Sequence, residues 1–258
     1  MALMPRFPWR IFWVLLAAAF CGALAILPYL RQALANTPAL ENAPKGTGLF
    51  IATQLLNLSL MFGIAIGFGL FLAAKVDLRL PVLSRCLYGT RTFAPAGSLH
   101  RSLVSGLLIG AGTVLLLYLV VLPRLANFPT EAAIPFWKRF LACFYGGINE
   151  ELLIRLFLLS VVLWLLEKLC RRTARASAAV FWIGNLLVAL LFGAAYLPAV
   201  AAFIPLTPFV IISIVALKGG AGLIFGQLCW ARGLEAAILA HFVSDLVIHL
   251  VGPLLAVR

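Results

Sequence analysis

YGGINEELLIRLFLLS, residues 145–160, sets two glutamates and an arginine into a run that is otherwise apolar. The meaning of Glu150, Glu151 and Arg155 depends on what surrounds them. The chain has 258 residues, of which 64% are hydrophobic and 11% charged, and its mean hydropathy is +1.10. Soluble domains are closer to half apolar and a quarter charged, so this chain has too little polar surface for a water-soluble globule. It has several separate apolar runs near the ~20 residues that a helix needs to cross a bilayer. The reading is an all-α, polytopic transmembrane helix bundle, in which an embedded charge is costly and faces the protein interior.

About eight spans are expected, over 10–30, 49–74, 102–122, 138–166, 178–197, 199–217, 219–231 and 235–256. The chain reads as a single integral membrane domain, 1–258, with a core at 138–250 that carries the embedded polar residues. The first apolar run is longer than a signal-peptide h-region and is read as a retained helix. The seventh is short and Gly-rich, "KGGAGLIFG" at 218–226, which suggests a tilted or re-entrant segment. The segment 75–101 mixes arginines with Leu, Phe and Tyr. It reads equally as a surface-lying amphipathic stretch or a plain loop.

The net charge of +12 lies in short loops between apolar runs, as anionic lipid headgroups select, and does not point to nucleic acid. With the N-terminus inside, Lys75, Arg79, Arg85, Lys168, Arg171, Arg172 and Lys218 fall on the cytoplasmic side. They and their neighbours outnumber the outer set around Arg31, Arg124, Lys138, Arg139 and Arg232. By the positive-inside rule the protein sits in the plasma or inner membrane with both termini cytoplasmic. In that topology Glu150 lies about 16 Å past Arg139 and His241 about 9 Å past Glu235, both measured from the outer end. The five cysteines form no C-x-x-C pair and no disulfide or zinc framework.

Glu151 and Arg155 are four residues apart with the acid first, the favourable order for a helical ion pair. Glu150 is turned about 100° away, without a partner on its own helix. One glutamate is thus expected as a structural strut, and the other faces a cavity as a candidate general base. In "EAAILAHFVSDLVIHL", 235–250, His241, Asp245 and His249 make one polar stripe at helical spacing. His241 and Asp245 can bind a metal, hold a substrate carbonyl or bond to each other; His249, near the helix end, reads as structural. Embedded polar residues also tie helices together, and a proton-coupled transporter is a further reading of the same stripe.

These residues resemble the motifs of the CPBP intramembrane proteases, the CAAX-processing and bacteriocin-processing or immunity group. The first motif, E-E-x-x-x-R, is matched by Glu150, Glu151 and Arg155, and the last, H-x-x-x-[N/D], by His241 and Asp245. The resemblance implies peptide-bond hydrolysis in a membrane cavity, on a peptide or membrane-protein substrate among lipids. It implies that Glu150 activates water, that Glu151 and Arg155 support it, and that His241 and Asp245 bind or stabilise the reacting centre. A divalent metal such as zinc, held by Glu150, His241 and Asp245, and a metal-free glutamate mechanism are both compatible with it. The middle motif, F-x-x-x-H, departs: "LFGAAYLPA" supplies Phe192 and then Tyr196 where the family has histidine. A phenol at that place donates a hydrogen bond but is a poor proton acceptor at neutral pH. An impaired protease, and a catalytically silent relative that acts as an immunity or partner-binding protein, are the two readings this leaves.

Overall fold

The structure, a computed structural model, describes residues 7–34, 48–89, 97–125, 131–170 and 178–255. All regular structure among them is helical. The helices are α1 (Trp9–Ala33), α2 (Gly48–Ala73), α3 (Pro81–Tyr88), α4 (Ser98–Arg124), α5 (136–169), α6 (Ala178–Ala201), α7 (Pro208–Arg232) and α8 (Leu234–Leu255). In hydrocarbon every backbone N–H and C=O needs an internal partner, which is why apolar runs of this length become helices. Six of the eight are long and apolar enough to cross a membrane: α1, the Leu56–Ala73 part of α2, α4, α6, α7 and α8. Helix α5 carries the charged motif and packs against α1, α2, α6 and α8. It winds as a π-helix over Tyr145–Glu150 and again over Leu152–Leu159, on either side of Glu151. Such wide turns concentrate at functional sites.

Two of the expected spans, 199–217 and 219–231, are one continuous helix, α7. Thr207 caps its start by accepting from the Val210 N–H at 3.3 Å, and Pro208 occupies the first turn. The glycines of 218–226 do not break it. They let α6 approach, as small residues do between membrane helices. A Cβ on Gly193 of α6 would stand 2.9 Å from the Val215 Cα and carbonyl, and one on Gly219 would stand 3.2 Å from the Ala189 carbonyl. The chain turns sharply at Gly233, whose φ of +101° suits glycine alone, and a side chain there would run into Pro81.

This merger removes one crossing and corrects the expected topology. At one end of the bundle Arg10 donates to the Leu87 carbonyl at 3.0 Å, and the Leu234 N–H donates to the Arg79 carbonyl at 2.9 Å. At the other, Tyr29 Oη donates to Glu131 Oε1 at 2.5 Å, and His249 Nδ1 lies 2.7 Å from Glu131 Oε2. Helix α1 therefore starts, and α8 ends, at opposite faces, so the two described termini are not on one side. Lys218 leaves the loop set and becomes a residue inside α7. Glu235 marks the Arg79 end, so the depth of His241 is counted from there and not from the opposite face.

The Glu131 end is held by a polar cluster. Besides the two contacts above, Arg139 Nη1 donates to the His249 carbonyl at 2.8 Å, and Lys138 donates to Gln32 at 2.7 Å. Burial alone would raise the Glu131 carboxyl. The His249 charge, the hydrogen bonds from His249 and Tyr29, and the Arg139 charge outweigh it and hold the group below the ordinary carboxylate range. His249 is thus tied into helix packing, the structural role its position suggested.

Candidate active site

Helix α5 presents its two glutamates in different directions. Glu151 is fully buried, and its Oε1 stands 3.1 Å from Arg155 Nη1, the expected strut. Arg155, 1% exposed, also donates from Nη2 to the Gly222 carbonyl of α7 at 3.0 Å. Its guanidinium lies 4.8 Å from the Phe192 ring centre and 5.6 Å from that of Phe225. Such ring contacts favour a desolvated cation by up to about 2 kcal/mol each. The charge that looked costly in the sequence is thus matched by a carboxylate, a carbonyl and two ring faces.

The strut extends to α8. His241 Nδ1 stands 2.7 Å from the same Glu151 Oε1, and the ring stacks on Phe225 at 4.5 Å with a 19° interplanar angle. A carboxylate accepts, so Nδ1 carries the proton, and Nε2 is turned to the other side. There it stands 3.7 Å from Glu150 Oε2 and 3.7 Å from Asp245 Oδ1. Both gaps exceed a direct hydrogen bond. His241 and Asp245 therefore do not bond to each other, and the imidazole is oriented by Glu151 instead. Gly146 makes room for this face of α8, because a side chain there would collide with Asp245 Oδ2.

Glu150 keeps 18% of its side chain exposed. Its partner comes from α6, where Tyr196 Oη stands 2.5 Å from Oε1 and 2.6 Å from Oε2. The phenol has one proton, so it donates across both oxygens of the carboxylate. Phe192, one turn earlier, meets the Tyr196 ring edge-on at 5.4 Å and the His241 ring at 6.1 Å. Every site residue expected from the sequence, Glu150, Glu151, Arg155, Phe192, Tyr196, His241 and Asp245, falls in this one cluster.

Asn149 was missed in the sequence. It is fully buried and donates to the Ala19 carbonyl at 2.8 Å, which locks α1 onto α5 one residue before Glu150. Its signal was a lone amide beside the glutamate pair. Among the described residues no group of three His, Cys, Asp or Glu side chains is arranged to hold a metal ion. Tyr196 engages both oxygens of Glu150, and Asp245 and Glu150 reach His241 from 3.7 Å each.

Comparison with known proteins adds one match. Residues 132–247 match the family model described as "Type II CAAX prenyl endopeptidase Rce1-like", which spans α5 to α8 and every residue of the cluster. No curated protein and no solved structure matches the chain. That family is one of proteases, and the matched helices embed its motif residues in a membrane-type bundle. Over residues 132–247 the chain is thus similar to the Rce1-like, CPBP-type family of intramembrane proteases.

Proposed function

We propose that this protein is an intramembrane endopeptidase of the CPBP, CAAX protease-like family, slowed by the tyrosine at 196. Glu150 takes a proton from a water molecule as its oxygen attacks the scissile carbonyl. It then passes that proton to the departing amine as the carbon–nitrogen bond breaks. Glu151, held by Arg155, fixes the His241 ring, and His241 Nε2 with Asp245 steadies the reacting centre. The observation that carries the reading is the convergence of Glu150, Glu151 and Asp245, from two helices, on the His241 imidazole, with Glu150 left partly open.

Tyr196 is where this site departs from its family. Its single O–H is shared between the two Glu150 oxygens and takes up part of the acceptor capacity that would receive the proton of water. A histidine there would share that proton, and base assistance of this kind is typically worth about 10²–10⁴ in rate. The same contact favours a second reading, a silent relative that binds a membrane partner without cutting it. Cleavage of membrane-embedded peptides by the reconstituted protein, compared with Glu150→Gln, separates the two. Slow cleavage that Glu150→Gln abolishes supports the peptidase, whereas no cleavage of any peptide supports the silent relative.

The Arg79 end is the cytoplasmic face in this proposal, and the Leu255 end the outer one. Lys75, Arg79, Arg85, Lys168 and Arg232 lie in or beside the connections at the Arg79 end, and the positive-inside rule orients the bundle accordingly. The substrate is a peptide or membrane protein reached through the lipid phase.

A further inference from the structure

The sequence places Lys218 in a loop, but it lies ten residues past Pro208 in the 25-residue helix α7. At 1.5 Å per residue it is about 15 Å along the axis from the start of that helix, where it is half-buried. No described carboxylate lies within ion-pair distance of its ammonium. The ammonium instead stands 4.0 Å from the centre of the Tyr196 ring. The close approach of α6 and α7 at Gly193 and Gly219 brings the two together. The Tyr196 ring is thus held between the Phe192 edge and a cation, and its hydroxyl reaches Glu150.

We infer that Lys218 is a positioning residue that latches Tyr196 onto Glu150. A cation over an aromatic face is attracted to the ring and draws electron density from it, which makes the attached O–H a stronger donor. The ammonium holds the ring at the angle at which its hydroxyl spans both carboxylate oxygens. Without it, the phenol is held by the Phe192 contact and its own bonds to Glu150, and it leaves the glutamate more often. Lys218 touches neither the carboxylate nor any reacting atom, so it acts through Tyr196 alone. An embedded cation that would otherwise be costly in hydrocarbon thereby gains a role. The inference rests on Glu150 being the working carboxylate, but it concerns the geometry of the cap and not the rate of hydrolysis.

The test reads whether Glu150 is covered. The protein in lipid vesicles is treated with a hydrophobic carbodiimide, and modification of Glu150 is quantified by peptide mass spectrometry, with Glu150→Gln as the blank. Tyr196→Phe removes the cap and raises labelling. Lys218→Met is expected to raise it about fivefold, the population change that a typical cation–π contact supports. Lys218→Arg, which keeps a cation, stays near the parent. The pair Lys218→Met with Tyr196→Phe labels no more than Tyr196→Phe alone. The buried thiol of Cys143 is the folding control and stays unreactive in each variant. If Lys218→Met exposes it, Lys218→Gln takes its place. Parent-like labelling of Lys218→Met beside raised labelling of Tyr196→Phe overturns the inference, and so does extra labelling in the double variant. Failure to cleave peptides would count against the peptidase reading and leave this result standing.

Discussion

Replacing Arg155 with alanine should destabilise the bundle more than any other single change at the site. Removing one partner of a buried ion pair typically costs about 3–5 kcal/mol, because the other charge is left desolvated. Here Glu151 is fully buried, but it keeps His241 Nδ1 at 2.7 Å, so the loss is placed at the lower end, about 3 kcal/mol. The bond from Nη2 to the Gly222 carbonyl and the contacts with Phe192 and Phe225 go as well, which argues against a smaller figure. For a chain of this size, about 3 kcal/mol corresponds to a melting shift of roughly 6–12 °C. The assay is thermal unfolding of the detergent-solubilised protein, with Glu150→Gln as the comparison. Glu150 is partly exposed, and its amide can still accept from Tyr196, so that variant should melt within about 2 °C of the parent. An Arg155→Ala protein that melts with the parent would refute the idea that the pair is a structural strut.

Three further outcomes are expected. The Glu131 carboxyl is held below its ordinary range, so its stabilising effect is complete above that range and is lost as pH falls through the depressed folded value. Glu131→Gln should therefore lower the melting temperature at pH 7, and the difference from the parent should shrink below roughly pH 4; a difference independent of pH would contradict this. Gly146→Ala should abolish any cleavage and lower stability, since its Cβ runs into Asp245, and a fully active, stable variant would show that α8 can move away. Cys86 and Cys170, exposed at the Arg79 end, should react with an impermeant thiol reagent only when the cytoplasmic face is opened, and a cysteine placed at Leu255 only from outside; the reverse pattern would invert the orientation.

Much of the site was legible because membrane burial makes charge conspicuous. Glu150, Glu151, Arg155, His241 and Asp245 stood out against lipid-like sequence, and helical spacing alone paired Glu151 with Arg155. Spacing did not show that His241 turns to Glu151 and not to Asp245, since that depends on how α5 and α8 meet at Gly146. The glycines at 218–226 misled because a helix break and a helix–helix contact share one composition. That single ambiguity added a crossing, put the termini on one side and placed Lys218 in a loop. Tyr196 was found as an absent histidine, but its grip on both Glu150 oxygens is a property of the fold.

The rate of peptide cleavage by Tyr196→His relative to the parent, in the same vesicles and with Glu150→Gln as the blank, tests the central claim most directly. If Tyr196 covers a working base, the parent cleaves slowly and Tyr196→His is faster, by up to about the 10²–10⁴ that base assistance supplies. If the parent cleaves robustly and both Tyr196→His and Tyr196→Phe abolish it, the tyrosine is a required donor and the account of a slowed site is contradicted.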